Sequence, residues 1–228
     1  MRILAIDTAL SAVSACVLDR DSSEPLALES IPMERGHAEA LAPLLERVVG
    51  KVEGGFASID RIAVTVGPGS FTGIRIGLAA AYAIAIARKI DIVGVSTLAA
   101  LAAPHIFDPF EGALAAAIDA RHGQVYVAAF GPDGRMLLAP RRAGAHEALR
   151  AIGDGPLNLV GGGGEILAKE ARNSGVATKI LAQDAAPDIA VVARLGFAAS
   201  PATAPARPLY LKAADAKTLA ERQAAALA

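Results

Sequence analysis

The stretch Gly67 to Ala87, GPGSFTGIRIGLAAAYAIAIA, decides how the rest of this chain is read. An apolar run, Ile62 to Val66, leads into a Gly-Pro-Gly turn, and the turn opens a helix charged only at Arg75 and Arg88. Gly73, Gly77, Ala81 and Ala85 recur every four residues and so share one helical face. Beside them runs a bulkier row, Ile74, Leu78, Tyr82 and Ile86. Small residues in such a row let another helix approach closely, and bulky ones fill a core. A helix apolar on nearly all sides has packing partners on more than one of them.

Upstream, Arg2 to Asp7, Ala12 to Leu18 and Pro25 to Met33 read as strands. The first is a near-continuous apolar run, as expected of a central strand. Asp19, Asp21, Ser22 and Ser23 supply turn chemistry between the second and third. The period then changes: Leu41, Leu44, Leu45, Val48 and Val49 follow helical spacing, with Glu39, Glu46 and Arg47 among the polar positions. Pro43 lacks a backbone donor, which predicts a bend or a late helix start. Thr72 is the expected cap of the helix after the glycine turn. This β-β-β-α-β-α order forms one layered unit, ending near Ala103 after a short strand, Ile92 to Val95, and a helix capped by Ser96 or Thr97.

After the breaker-rich Pro104 to Gly112, Ala113 to Ile118 and Val125 to Phe130 read as strands, and Pro132-Asp133-Gly134 signals a hairpin returning as Met136 to Ala139. Further elements are a helix at His146 to Ile152, a strand at Leu157 to Val160, a helix at Glu165 to Arg172, a strand at Val176 to Leu181 and a helix at Asp188 to Ala199. Two β-rich units with late helices imply a duplicated α/β architecture, residues 1–104 and 105–228. The alanine-rich end reads as a helical or frayed segment, and the terminal part is expected to pack back on the first unit.

Composition excludes several classes. At 228 residues the chain buries enough surface to need no staples. Its single cysteine, Cys16, rules out an internal disulfide framework and suits a reducing compartment. The run Ile76 to Ala87 falls short of the roughly 20 apolar residues that span a bilayer. Met1 to Asp7 reads directly as a strand rather than as a leader. The expectation is a cytoplasmic protein of bacterial type with no membrane partner. With 22 basic and 23 acidic residues there is no basic excess for gripping nucleic acid, so work on nucleic acid would go through a partner.

Several places carry residues suited to phosphate chemistry. Gly67-Pro68-Gly69-Ser70-Phe71-Thr72-Gly73 lies between a strand and a helix, where N–H groups can hold a phosphate. It lacks the lysine of a P-loop, and the same glycines serve a tight strand-to-helix connection equally well. Asp7, with Thr8 and Ser11 after it, stands where sugar kinases, actin and the large chaperones hold magnesium and phosphate. No glycine follows it here, and an aspartate capping its own turn is the alternative. Asp119-Ala120-Arg121-His122-Gly123 would be the matching second turn, with bulkier residues where glycine is usual. Gly161, Gly162, Gly163 and Gly164 either contact a nucleotide or simply turn a strand into a helix. His37, His105, His122 and His146 form no pair at metal-ligand spacing. Ser70 lies in GPGSFTG, which is not G-x-S-x-G, and no base is specified for a hydrolase or peptidase.

Taken together, several blocks resemble the TsaB (YeaZ) family over the whole chain. They are Ile3 to Thr8, Arg35-Gly36-His37-Ala38-Glu39 with Leu41 and Pro43, Gly67 to Leu78, Gly94 to Leu98, Ile118 to Arg121 with Val125-Tyr126, and Pro208 to Leu211. The resemblance implies an α/β, actin/hexokinase/chaperone-like (ribonuclease H-like) fold in two tandem subdomains, each with a central mixed sheet and flanking helices. It implies a non-catalytic scaffold for threonylcarbamoyl transfer to the adenosine beside the anticodon of tRNAs reading A-starting codons. The scaffold would bind and order the catalytic paralogue TsaD, with the ATPase TsaE joining the larger complex and tRNA engaged indirectly. Pairing would use the two N-terminal helices, through His37, Leu41, Leu44, Leu45, Val48, Gly73, Ile74, Gly77, Leu78, Ala81, Tyr82 and Ala85. The same surface would pair with itself as a homodimer when alone. Asp7, Thr8, Ser11, Asp119, Arg121, Gly161 and Gly162 would be remnants of a degenerate nucleotide site. The catalytic paralogue holds a metal through two histidines of one helix, and here only His37 remains, with Leu41 at i+4. No catalytic residue, metal or cofactor is therefore expected for the chain alone, ATP or ADP and a metal entering only with TsaD and TsaE. The competing reading is an ATP-binding small-molecule kinase or ATPase of the same fold.

Overall fold

The structure is a computed structural model, and it describes residues 1–211. The alanine-rich helical expectation for the end of the chain lies outside the described residues.

Strand β1 (Arg2–Asp7) lies at the centre of the first sheet. Ile3, Leu4, Ala5 and Ile6 are wholly buried because both faces of the strand are covered. It pairs antiparallel with β2 (Ala12–Asp19), which pairs antiparallel with β3 (Ala27–Pro32). On its other side it runs parallel to β4 (Arg61–Gly67), and β4 to β5 (Asp91–Ser96), giving the order β3-β2-β1-β4-β5. Parallel neighbours need crossovers, and two helices supply them on one face: α1 (His37–Gly50) and α2 (Phe71–Arg88).

Helix α1 begins at His37, so the late start expected from Pro43 does not occur. Pro43 is exposed on the outer side of the helix, where water can satisfy the carbonyl that loses its partner. Leu41, Leu44, Leu45, Val48 and Val49 all point into the core, together with Leu4, Ile6 and Val64. Each such side chain contributes about 1.5–3 kcal/mol by leaving water. Ser70, not Thr72, caps α2: its hydroxyl accepts the Gly73 N–H at 3.2 Å. The helix starts at Phe71, one position before Thr72, which moves the capping place upstream. Ser96 caps α3 (Thr97–Ile106) by accepting the Ala99 N–H.

The second unit repeats the first. Strands β6 (Ala113–Asp119), β7 (Gln124–Phe130) and β8 (Met136–Gly144) are antiparallel neighbours. Helix α4 (Ala145–Ile152) leads to β9 (Leu157–Val160), and α5 (Gly164–Asn173) to β10 (Thr178–Ala182). Both β9 and β10 run parallel, giving the order β10-β9-β6-β7-β8, the order of the first sheet unit for unit. Strand β8 continues past Ala139 to Gly144, because an edge strand tolerates Pro140.

The strands divide near residue 104, but the helices do not. Helix α6 (Ile189–Ala198) returns to the first sheet, where Ile189, Val192 and Ala193 pack on Ile3, Ala5, Cys16 and Ala63. Gly196 has no room for a side chain: a Cβ there would lie 2.5 Å from that of Ala63. Helix α3 meanwhile packs Leu98, Leu101 and Ala102 on the second sheet, against Leu114, Ala116 and Phe130. Cys16 is buried under α6, and that burial pushes its thiol up to about 12. A strap then runs along the first unit: Gly94 donates to the Ala204 carbonyl, and Leu209 to that of Val66.

Candidate functional site

A cleft of about 590 Å³ opens between the two units, at the ends of β1 and β6. Among the residues considered as remnants of a nucleotide site, it collects Ser11, Asp119, Arg121 and Gly162, but neither Asp7, Thr8 nor Gly161.

Asp7 faces inward. Its Oδ1 accepts the Thr65 hydroxyl and the Ala9 N–H, while Oδ2 is buried with no hydrogen-bond partner among the described residues. Burial pushes its carboxyl above the ordinary range, against the opposing pull of these two bonds and of His37. Thr8 is also buried, donating to the Gly73 carbonyl at 2.7 Å. A folded-state pKa above the unfolded value means that the folded chain holds more protons between the two. Stability contributed by the neutral carboxyl is therefore lost as pH rises from about 4 through that window. Asp7→Asn is expected to gain on the wild type in denaturant stability as pH is raised from 4 to 8. A difference between the two proteins that does not vary with pH would overturn this account.

The glycine turn after β4 is already filled by protein. Ser70 donates its N–H to the Ala9 carbonyl at 2.7 Å, and Gly73 gives its own to Ser70 Oγ. A Cβ on Gly69 would sit 2.3 Å from the Ala9 oxygen, and one on Gly73 only 2.0 Å from that of Thr8. The Thr8-Ala9 backbone thus occupies the concavity in which a phosphate would be held. The second glycine run behaves alike. Gly161, Gly163 and Gly164 donate to the carbonyls of Ala182, Ala117 and Gly161, and Gly163 packs directly on the backbone of β6. Gly162 alone has open space on its Cβ side. Asp119 turns back to accept the Arg121 N–H, and both Arg121 and His122 adopt left-handed backbone conformations.

These residues do not fit a magnesium–nucleotide ligand. The cleft is lined by Glu34, Asp119 and Asp184 against Arg121 alone, a balance that repels polyphosphate. Among the described residues no three His, Cys, Asp or Glu side chains converge on a cation position. His37, at the cleft wall, has Nε2 3.0 Å from the Leu10 carbonyl, so that nitrogen is engaged with the chain's own backbone. His146 instead meets Glu170 at 3.1 Å, between α4 and α5.

The helix pair gives the second candidate surface, with a correction. Eleven of the twelve residues expected at the partner interface are buried in this subunit, and only Tyr82 is exposed. The row Gly73, Gly77, Ala81, Ala85 faces the chain's own sheet. A Cβ on Gly77 would lie 2.5 Å from Thr8 Oγ1 and 3.6 Å from a Val64 methyl. By length and composition α2 could cross a membrane, yet this row is buried against the sheet. The free face is the opposite one, where Phe71, Arg75, Ala79, Tyr82, Ala83 and Ile86 are exposed. Phe71 is 54% exposed and Ile86 74%, an apolar stripe that the described residues leave open along a helix about 27 Å long.

Two copies of one β-β-β-α-β-α-β-α unit, facing each other across a cleft, define the actin/hexokinase/ribonuclease H-like class. Residues 32–203, more than half the chain, match the family described as "TsaD: tRNA N6-adenosine threonylcarbamoyltransferase". The solved structure of YeaZ from Pseudomonas aeruginosa superposes with a TM-score of 0.71 at 27% identity, covering 92% of this chain and 99% of that one. The tRNA threonylcarbamoyladenosine biosynthesis protein TsaB of Escherichia coli is 36% identical over 133 residues, 58% of this chain and 56% of that protein. An uncharacterized protein of Mycobacterium tuberculosis is 33% identical over 218 residues, 96% of this chain and 95% of its own length. The chain belongs to the TsaB (YeaZ) family. It spans about half the length of the relatives that carry the TsaB name, including that of Bacillus subtilis at 53%.

Proposed function

We propose that this chain is a non-catalytic subunit in the synthesis of threonylcarbamoyladenosine on tRNA, acting by binding and ordering the catalytic paralogue TsaD. One contrast carries the reading: the glycine turns beside the cleft are filled by the chain's own backbone, while the outer stripe of α2 is apolar and, among the described residues, exposed. Threonylcarbamoyl transfer needs an acyl group polarised and positioned. Neither Asp7 nor His37 is free to do this, since one is buried and the other faces the Leu10 carbonyl. The outer stripe suits a helix of TsaD packing alongside α2. ATP or ADP and a metal would then enter through TsaD and TsaE, and tRNA through the assembled complex in the cytoplasm. Without TsaD, two copies of the chain would pair through the same stripe. A kinase or ATPase would require Asp7 to reach magnesium, and the side chain points away from the cleft into its bond with Thr65.

The decisive experiment supplies threonylcarbamoyl-adenylate and unmodified tRNA to this chain, to TsaD, and to both together. Modification only when TsaD is present, rising when this chain is added, is the expected result. Robust transfer by this chain alone would overturn the proposal.

A further inference from the structure

Arg75 is the one charged side chain on the exposed stripe of α2 between Phe71 and Ala87, and it is held in place. Its guanidinium carbon lies 3.7 Å from the centroid of the Phe71 ring and 5.9 Å from that of Tyr210. The two rings are 5.3 Å apart, and Arg75 Nε donates to the Tyr210 hydroxyl at 3.0 Å. Tyr210 in turn belongs to the strap, which is anchored on both sides of the cluster. Leu209 donates its N–H to the Val66 carbonyl at 2.8 Å, and Tyr82 its hydroxyl to the Ala206 carbonyl at 2.9 Å.

Stacking fixes the plane of the guanidinium and Tyr210 takes the Nε–H, so the remaining donors are those of the two Nη groups, whose end-on pair matches a carboxylate. Among the described residues no carboxylate pairs with Arg75, although Arg2, Arg47 and Arg61 each have one. A planar guanidinium already ordered loses little further freedom on taking a carboxylate in a two-pronged bond. If an apolar helix covered this stripe without an opposing charge, the arginine would be left desolvated and uncompensated. The tip of a partner fitting here is therefore constrained: apolar opposite Ala79, Ala83 and Ile86, acidic opposite Arg75.

Resting on the reading that the outer stripe of α2 meets TsaD, we propose that Arg75, clamped by Phe71 and Tyr210, receives an aspartate or glutamate from the partner's helix. The pair fixes which end of that helix lies at the start of α2. It makes the strap from the second unit part of the recognition surface.

The test measures the dissociation constant of the complex between the full chain and TsaD at several salt concentrations. Arg75→Gln is expected to weaken binding about 30-fold or more and to flatten the salt dependence. Arg75→Glu should weaken it further. Tyr210→Phe, which keeps the charge and frees the clamp, should have a smaller effect than Arg75→Gln. Changing TsaD's acidic residues singly to lysine should uncover one that restores binding to Arg75→Glu. Thermal melts of each variant establish that the fold is intact, and the salt dependence of the wild-type complex provides a readout without any substitution. Binding and salt slope unchanged in both Arg75 variants, with Ile86→Asp still disrupting the complex, would overturn this inference and leave the scaffold reading standing. Binding unaffected by Ile86→Asp as well would bring down the reading on which it rests. An Arg75 effect that disappears when the chain is ended at Leu211 would assign the carboxylate to this chain and likewise overturn the proposal.

Discussion

Gly73→Ala is expected to destabilise the fold by about 3 kcal/mol, the upper end of what overpacking a core produces. The added methyl would meet the Thr8 carbonyl oxygen at 2.0 Å, and that oxygen belongs to the turn leaving the central strand. A flexible side chain could move aside, but this backbone cannot move without disturbing β1. The clash also breaks the bond from the Thr8 hydroxyl to the Gly73 carbonyl, which joins α2 to the end of that strand. Gly162→Ala is the matched control: it too lies in a glycine turn before a helix, yet nothing stands within 4 Å of its added methyl. It should change stability by no more than about 0.5 kcal/mol. Urea denaturation of the three proteins checks both values. Equal stability of Gly73→Ala and Gly162→Ala would show that the close approach of α2 to Thr8 is not what the glycine serves.

The same helix shows where sequence reasoning stops. Its existence, its length and the five buried positions of α1 followed from periodicity, because Leu41, Leu44, Leu45, Val48 and Val49 alternate with charges that must stay wet. In α2 there is no such contrast. Alanines stand in both its small row, at Ala81 and Ala85, and its outer stripe, at Ala79 and Ala83, so pattern alone does not say which row meets the sheet. The expected interface accordingly fell on the face that the chain covers itself. Asp7 posed a similar ambiguity: an aspartate ending a buried strand can look into a cleft or back into the core, and Thr65, 58 residues away, decides it. The return of α6 to the first sheet and the Arg75–Tyr210 contact, 135 residues apart, had no local signal at all. Aromatic residues are few here, and their clustering with an arginine becomes visible only when the strap is in place.

Ile86→Asp is expected to weaken binding to TsaD by about 100-fold or more while leaving the fold intact, since an unpaired charge would be buried in the interface. Ile86 is 74% exposed in the subunit, so the substitution removes almost no contact within this chain. An exposed change of this kind shifts stability by only about 0.5 kcal/mol. The contrast with the buried row is the point of the experiment. Ala81 is wholly buried on the opposite face, and Ala81→Asp should unfold the subunit and lose binding only as a consequence. Sedimentation gives a second readout on the same variant: self-association of the isolated chain through the outer stripe should disappear in Ile86→Asp. If Ile86→Asp binds TsaD as the wild type does, the partner does not sit on this face. A loss of binding at unchanged melting temperature would place the function of α2 on its outer stripe, with the glycines beneath serving to bring the helix close against β1.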